Sequence, residues 1–327
     1  MSKSQLQHYV PKFLLRRFGT GKKGHLHVLD KHTGKTFSKA ASKVAAENSF
    51  YDFEFQGSRL TLEPSLAVLE SRAAKHIERI VRDRCLHVLE VQERSELSQF
   101  LAVQMVRTRA HIETWKDVSS RMEVWLRERG VREEFFASSA KLGEHENAER
   151  AMFVRRISDA PKDFGSTSAA KDWVLLQTER KTPYFIGDHP LTMHNMTDRV
   201  GRGNLGLSVE GIEIYFPLSP ELGLALWCPS HRGVLLEGIQ RLTRISDSQP
   251  LVAARFSGVW TGAMNIMDAI TTGTPLRSRP ENVEFFNSLQ VLSAERFVFS
   301  ADGDFSLAED MIRGDSGIRR GRRFTIG

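Results

Sequence analysis

The sequence predicts an α+β fold, with a basic N-terminal hairpin region, a helical middle and a C-terminal mixed α/β part built on a mainly antiparallel sheet. Three observations carry this. Apolar and polar residues alternate on both sides of a turn near residue 32, as in a hairpin. From about 61 to 157 apolar residues recur at steps of three and four, the spacing of one helix face. Beyond 172 the pattern shortens to apolar runs bounded by Gly, Pro or Asp, which reads as strands, and no repeat period appears.

Taken in order, His25-Leu26-His27-Val28-Leu29 and Thr36-Phe37-Ser38 flank Asp30-Lys31-His32-Thr33-Gly34-Lys35 and predict two short strands. Thr61 is the expected N-cap of a helix with Pro64 in its first turn, whose Leu62, Leu66, Leu69, Ala73, Ile77 and Ile80 share one face to about Arg84. A second helix is expected from Glu93 through Leu97, Leu101, Met105, Thr108, Ile112 and Trp115, packed antiparallel on the first. More helix is expected across 117–157. Strands are expected at 173–176, 184–186, 211–216, 222–227 and 296–299, and helices at 249–270 and 281–293. Residues 193–210, rich in Gly and Asn, predict a long loop of the kind that closes over or binds something. One domain over 1–310 and a flexible basic tail at 311–327 complete the expected organisation.

The 327 residues are 40% hydrophobic and 26% charged, which excludes a mostly disordered or disulfide-dense chain. No apolar run approaches the ~18 residues of a membrane span, and the start has no signal-peptide core, so a cytoplasmic protein without a membrane partner is expected. Cys85 and Cys228 are too few for a disulfide framework. Net charge is +6, but unevenly placed: residues 1–43 carry an excess of +9 and residues 311–327 one of +4, leaving the body at −7. Basic ends suit a polyanion such as nucleic acid, and equally suit simple solubility.

Three segments carry polar chemistry. His8, Tyr9, Arg16 and Arg17 sit in an otherwise apolar stretch: the imidazole can exchange a proton, and the guanidiniums can grip phosphate. The same side chains can instead tie down the chain start. Gln104 interrupts an apolar helix face, with Arg107 three and His111 seven residues on, and a buried amide there needs partners such as Glu70 or His76. Gly187-Asp188-His189-Pro190 ends a strand, where Asp188 can orient a histidine, bind a metal or activate water, or form a turn. There is no P-loop, no HExxH, no CxxC and no GxSxG.

The opening His8-Tyr9-Val10-Pro11 with Leu15-Arg16 and Phe18 resembles the bacterial family known as domain of unknown function 4238. Further agreement lies in Asp30 with Thr33-Gly34, Ala45-Ala46-Glu47, Phe50-Tyr51, Glu70, Gln104 with Arg107-Thr108, Asp188-x-Pro190, Phe216-Pro217-Leu218-Ser219, and Asn287 ahead of Ala294 and Arg296. The resemblance covers roughly 7–300. Lys12 stands where the family often has Gln, and Gly187 where it often has Ser or Thr, which puts a hydroxyl role at that turn in doubt.

The expected function is a nucleic-acid-directed hydrolase, a nuclease of a defence or toxin setting, with a non-catalytic binding module as the alternative. His8, Glu70, Asp188 and His189 are the expected catalytic groups, with Glu70 and Asp188 as ligands if Mg²⁺ takes part. Tyr9, Arg16, Arg17, Gln104, Arg107 and Asn287 are the expected substrate contacts.

Overall fold

The computed structural model describes residues 5–22, 24–132, 134, 145–197, 205–249 and 254–323. It is an α+β protein. Strand β1 (Leu6–His8) pairs antiparallel with β4 (Ala46–Asn48), His8 opposite Ala46, and α1 (Lys12–Phe18) follows at once. The expected hairpin is present as β2 (His25–Asp30) and β3 (Lys35–Ala40). Its other neighbour is β13 (Phe297–Ser300), nearly the far end of the chain, followed by the two-residue β8 (Ile186–Gly187), so the four-stranded order is β3-β2-β13-β8. A small hairpin, β5 (Asp52–Phe55) with β6 (Ser58–Thr61), leads into the helices.

Helix α2 (Glu63–Asp83) begins two residues after Thr61, which lies in β6 with its hydroxyl accepting from Glu63 N at 3.3 Å. The expected helix from 93 to 115 is two helices, α3 (Val91–Val106) and α4 (Arg109–Glu128). Arg107 ends the first, and Thr108 caps the second by accepting from His111 N. The apolar stepping ran through this break because both helices bury the same side, and one side-chain cap is enough to redirect the chain. Helix α5 (His145–Ala169) packs along α3.

The larger sheet has the order β12-β7-β11-β10-β9, made of β7 (Asp172–Gln177), β9 (Thr192–Asn195), β10 (Ile212–Ser219), β11 (Leu222–Trp227) and β12 (Leu276–Arg277). Only the β12–β7 pairing is parallel. Its strands alternate as a doubly covered sheet requires. Trp173, Leu175, Ile214, Phe216 and Leu224 share a core with Leu14, Leu15 and Phe100 of α1 and α3. Val174, Tyr215 and Ala225 pack on Val283, Phe286 and Leu289 of α8 (Pro280–Ser293). Each such aliphatic or aromatic side chain removed from water contributes about 1.5–3 kcal/mol.

Further expectations change. Residues 229–248 form helix α6 (Pro229–Ser248), which sequence reading left unassigned, and α7 covers Ser257–Thr272 where 249–270 was expected. Its Leu235, Ile239, Leu242 and Ile245 recur at steps of four and three, a helical signal that the sequence reading passed over, although no residue of α6 is buried. The expected loop at 193–210 starts inside β9, and residues 198–204 lie outside the described residues. The expected flexible tail is α9 (Ser306–Gly314) and a short 3₁₀ turn (Ser316–Arg319), docked by Arg319 Nη1 donating to Lys31 O at 2.8 Å. Residues 324–327 lie outside the described residues.

Candidate functional site

Two polar systems meet at residues 8 and 9. The first is a buried network. Arg107, 1% exposed, donates from Nε to Tyr51 Oη at 3.0 Å, and from Nη2 to His8 O at 2.7 Å and Glu70 Oε1 at 2.6 Å. Gln104, fully buried, donates to Tyr9 O at 2.9 Å. Burial opposes the Arg107 charge, but Tyr51 and Glu70 hold its pKa above the ordinary value. These side chains grip the backbone of residues 8 and 9 and so fix which way Tyr9 faces. His8 Nε2, Gln104 Oε1 and Arg107 Nη1 are buried here without a hydrogen-bonding partner among the described residues. Burial, then Lys12, lowers the His8 pKa.

The second system is an open cleft of about 740 Å³. Tyr9, only 4% exposed, lies at its floor with Asp188. Burial, then the charges of Asp188 and Glu47, pushes the Tyr9 phenol well above its ordinary pKa, so it stays a donor. Asp188 Oδ1 accepts from Glu295 N at 2.7 Å, and Oδ2 accepts from Arg296 N and Phe297 N, each at 2.9 Å. Burial nevertheless pushes its pKa up to about 6, against the three N–H groups and Lys31. Lys31 is fully buried behind it and donates to the carbonyls of Val291 and Ala294 at 2.5 and 2.6 Å, capping the C-terminal end of α8. Burial lowers this ammonium to about 8.

Charge surrounds the floor. Arg109 pairs with Glu47 and Glu113, Arg296 with Asp30 at 2.8 Å, and Arg323 with Glu295 at 2.8 Å. Lys39, Lys43 and Arg320 are exposed at the rim and have no ion pair among the described residues. The lining holds six Lys and Arg against four carboxylates, with His32 and the 40% exposed ring of Phe37 beside them. Ala45, whose carbonyl accepts from Tyr9 N at 2.9 Å, adopts φ 48°, a left-handed conformation that costs an alanine about 1–2 kcal/mol.

Of the residues singled out by sequence, Tyr9 and Asp188 meet in the cleft, while Glu70, Gln104 and Arg107 meet in the network behind it. His8 belongs to that network through its carbonyl. His189 faces away, its Nδ1 at 2.6 Å from Thr108 Oγ1 in a separate cavity. Arg16 and Arg17 lie on α1 and do not line the cleft, and Arg17 stands near Glu78. Asn287 is a clamp on the backbone before β8: its Oδ1 accepts from Phe185 N and its Nδ2 donates to Pro183 O. Gly187 matters sterically, since a Cβ there would come within 3.0 Å of Gln290 O and 3.1 Å of Ala294 Cβ.

Glu70 and Asp188 lie in different networks, Glu70 Oε1 taken by Arg107 and both Asp188 oxygens by backbone N–H groups, and no group of three His, Cys, Asp or Glu is placed to hold a metal among the described residues. They do not form a Mg²⁺ site, so no step runs through one. Sequence reading missed Lys39, Lys43, Arg109, Glu295, Arg320 and Arg323 as site residues. The one signal for Lys39, Lys43, Arg320 and Arg323 was the basic bias of both chain ends, and Arg109 and Glu295 had none. A family model described as protein of unknown function (DUF4238) matches residues 6–304. No curated protein and no solved structure matches the chain.

Proposed function

The chain belongs to the DUF4238 family of unknown function, and from that premise and the cleft we propose that it binds the phosphate backbone of nucleic acid. One observation carries this reading: the two basic ends, 277 residues apart from Lys43 to Arg320, converge on one cleft. Unpaired rim cations attract a polyanion and release its counterions, and guanidiniums at the floor suit phosphate oxygens. Carboxylates beside Arg109, Arg296 and Arg323 hold those side chains in place and keep the floor from being uniformly positive. The phenol of Tyr9 supplies a neutral donor among them.

Phosphodiester hydrolysis is a second reading, favoured by one specific observation. Asp188 and Tyr9 line one cleft, and burial pushes the carboxyl up to about 6, towards the range in which it can exchange protons near neutral pH. His8, Glu70 and His189 contribute nothing to it, because none of them lines the cleft.

Fluorescence anisotropy with labelled single- and double-stranded DNA and RNA over a range of salt tests both readings. Each phosphate contact contributes a slope of about 0.7–0.9 in log K against log salt. Joint replacement of Lys39, Lys43 and Arg320 by Ala is expected to weaken binding and reduce the slope by about 2–3. An unchanged slope would overturn the cleft as the binding site. Cleavage of the same oligonucleotides, lost in Tyr9→Phe and Asp188→Asn variants that still bind, would establish the hydrolase reading; intact oligonucleotides would leave binding as the function.

A further inference from the structure

A second cavity, of about 280 Å³, lies behind the charged cleft. Consecutive residues divide between the two: Asp188 faces the cleft and His189 the cavity, Arg109 the cleft and Ala110 the cavity, Arg323 the cleft and Arg322 the cavity. The charged cleft is a polar surface, whereas the cavity walls are apolar, with Met105, Phe164, Leu191, Met193 and Leu207 among them.

The hydroxyls of Thr114, Thr192 and Ser293 break that apolar lining, and so do three nitrogen-bearing side chains. His189 Nδ1 is taken by the Thr108 hydroxyl at 2.6 Å, which leaves Nε2 as the ring nitrogen able to meet a guest. His111 lies one turn into α4, and its Nε2 is buried with no hydrogen-bonding partner among the described residues. Burial holds both rings neutral, His111 at about 4 and His189 at about 3. Arg322 is the third. Its carbonyl accepts from Thr114 Oγ1 at 3.3 Å, but its guanidinium has no ion pair among the described residues. The residue is exposed overall, yet loss of water around the guanidinium lowers its pKa, with no carboxylate among the described residues to offset it.

A pure hydrocarbon guest would leave His111 and Arg322 unpaired, and a bare inorganic anion would leave the Met, Phe and Leu walls unfilled. We propose that this cavity binds a small monocarboxylate with an apolar body, its carboxylate on Arg322 with His111 and His189 as hydrogen-bonding neighbours. An Arg–carboxylate pair is a strong, geometrically specific contact, and the volume limits the body to a short chain or single ring. None of these residues lines the charged cleft, so the assignment stands independently of nucleic-acid binding.

Isothermal titration of the full chain with octanoate tests it, with 1-octanol and inorganic phosphate as comparisons. Octanoate is expected to bind one site, Arg322→Gln to weaken it about tenfold, 1-octanol to bind more weakly than octanoate, and phosphate to leave the cavity empty. Ala110→Leu and Met193→Trp, which fill the cavity, are expected to abolish octanoate binding. Imidazole resonances of His111 and His189, assigned through His111→Gln and His189→Gln, should shift during the titration. Absence of octanoate binding, equal affinity for 1-octanol, or binding retained in both cavity-filling variants would overturn the proposal. Should those variants fail to fold, unmoved histidine resonances in the wild-type protein would overturn it alone.

Discussion

Replacing Arg107 by Met separates the structural network from the cleft. The guanidinium is 1% exposed and makes three hydrogen bonds, to Tyr51 Oη, His8 O and Glu70 Oε1. Bonds to a charged donor contribute about 1.5–3 kcal/mol each, and against them stands the cost of desolvating the guanidinium, several kcal/mol. Removing one partner of a buried pair costs about 3–5 kcal/mol net. Glu70 is 24% exposed and can turn towards water, so the lower half of that range is expected. An unfolding entropy of about 2.1 cal/mol/K per residue over 327 residues gives about 1.5 °C per kcal/mol, hence a Tm fall of about 4–6 °C by calorimetry. Tyr51→Phe should cost about 1–3 kcal/mol by leaving Arg107 Nε unpaired. Nucleic-acid binding by folded Arg107→Met should be unchanged, because Arg107 does not line the cleft. A Tm shift under about 1 °C, or lost binding at unchanged stability, would refute the assignment of Arg107, Glu70 and Gln104 to support rather than function.

Two further expectations concern pH and packing. His111 and His189 have depressed pKa values, so the unfolded chain binds two more protons as pH falls below about 6.5 and stability is lost; Asp188, raised to about 6, works the other way by one proton. Between pH about 6 and about 4 these three leave a net loss of about 1.4 kcal/mol per pH unit, which urea unfolding at stepped pH checks, and His189→Gln should flatten it. Gly187→Ser should cost about 1–3 kcal/mol, because the new Cβ meets the Gln290 carbonyl of α8 and Ala294 just past its end; a neutral effect in thermal unfolding would show that α8 moves freely.

Legibility of the site followed locality. Tyr9 and Asp188 were visible because each breaks a local pattern, a phenol in an apolar entry segment and an acid at a strand end. Gln104 and Arg107 were visible for the same reason, and the pairing with Glu70 followed from packing α2 on α3. The division of those five between network and cleft was not visible, since it depends on how α2, α3 and the Asp188 turn pack around the chain start. The helix break at Arg107–Thr108 was equally hidden, because the apolar stripe continues across it.

The sequence by itself determined the α+β class, the β2–β3 hairpin, the two-period pattern of helices and strands, and the basic character of both ends. Those are properties of neighbouring residues, where propensity, turn chemistry and hydrophobic spacing act within a few positions. Only the tertiary structure decided that β13 joins β2, that Lys31 sits beneath Asp188, and that Arg320 and Arg323 face Lys39 and Lys43 across one cleft. Those pairings join segments from about 160 to about 280 residues apart. No local pattern encodes them, because burial of both faces of the sheets and satisfaction of the Asp188 and Lys31 hydrogen bonds act on the whole chain at once.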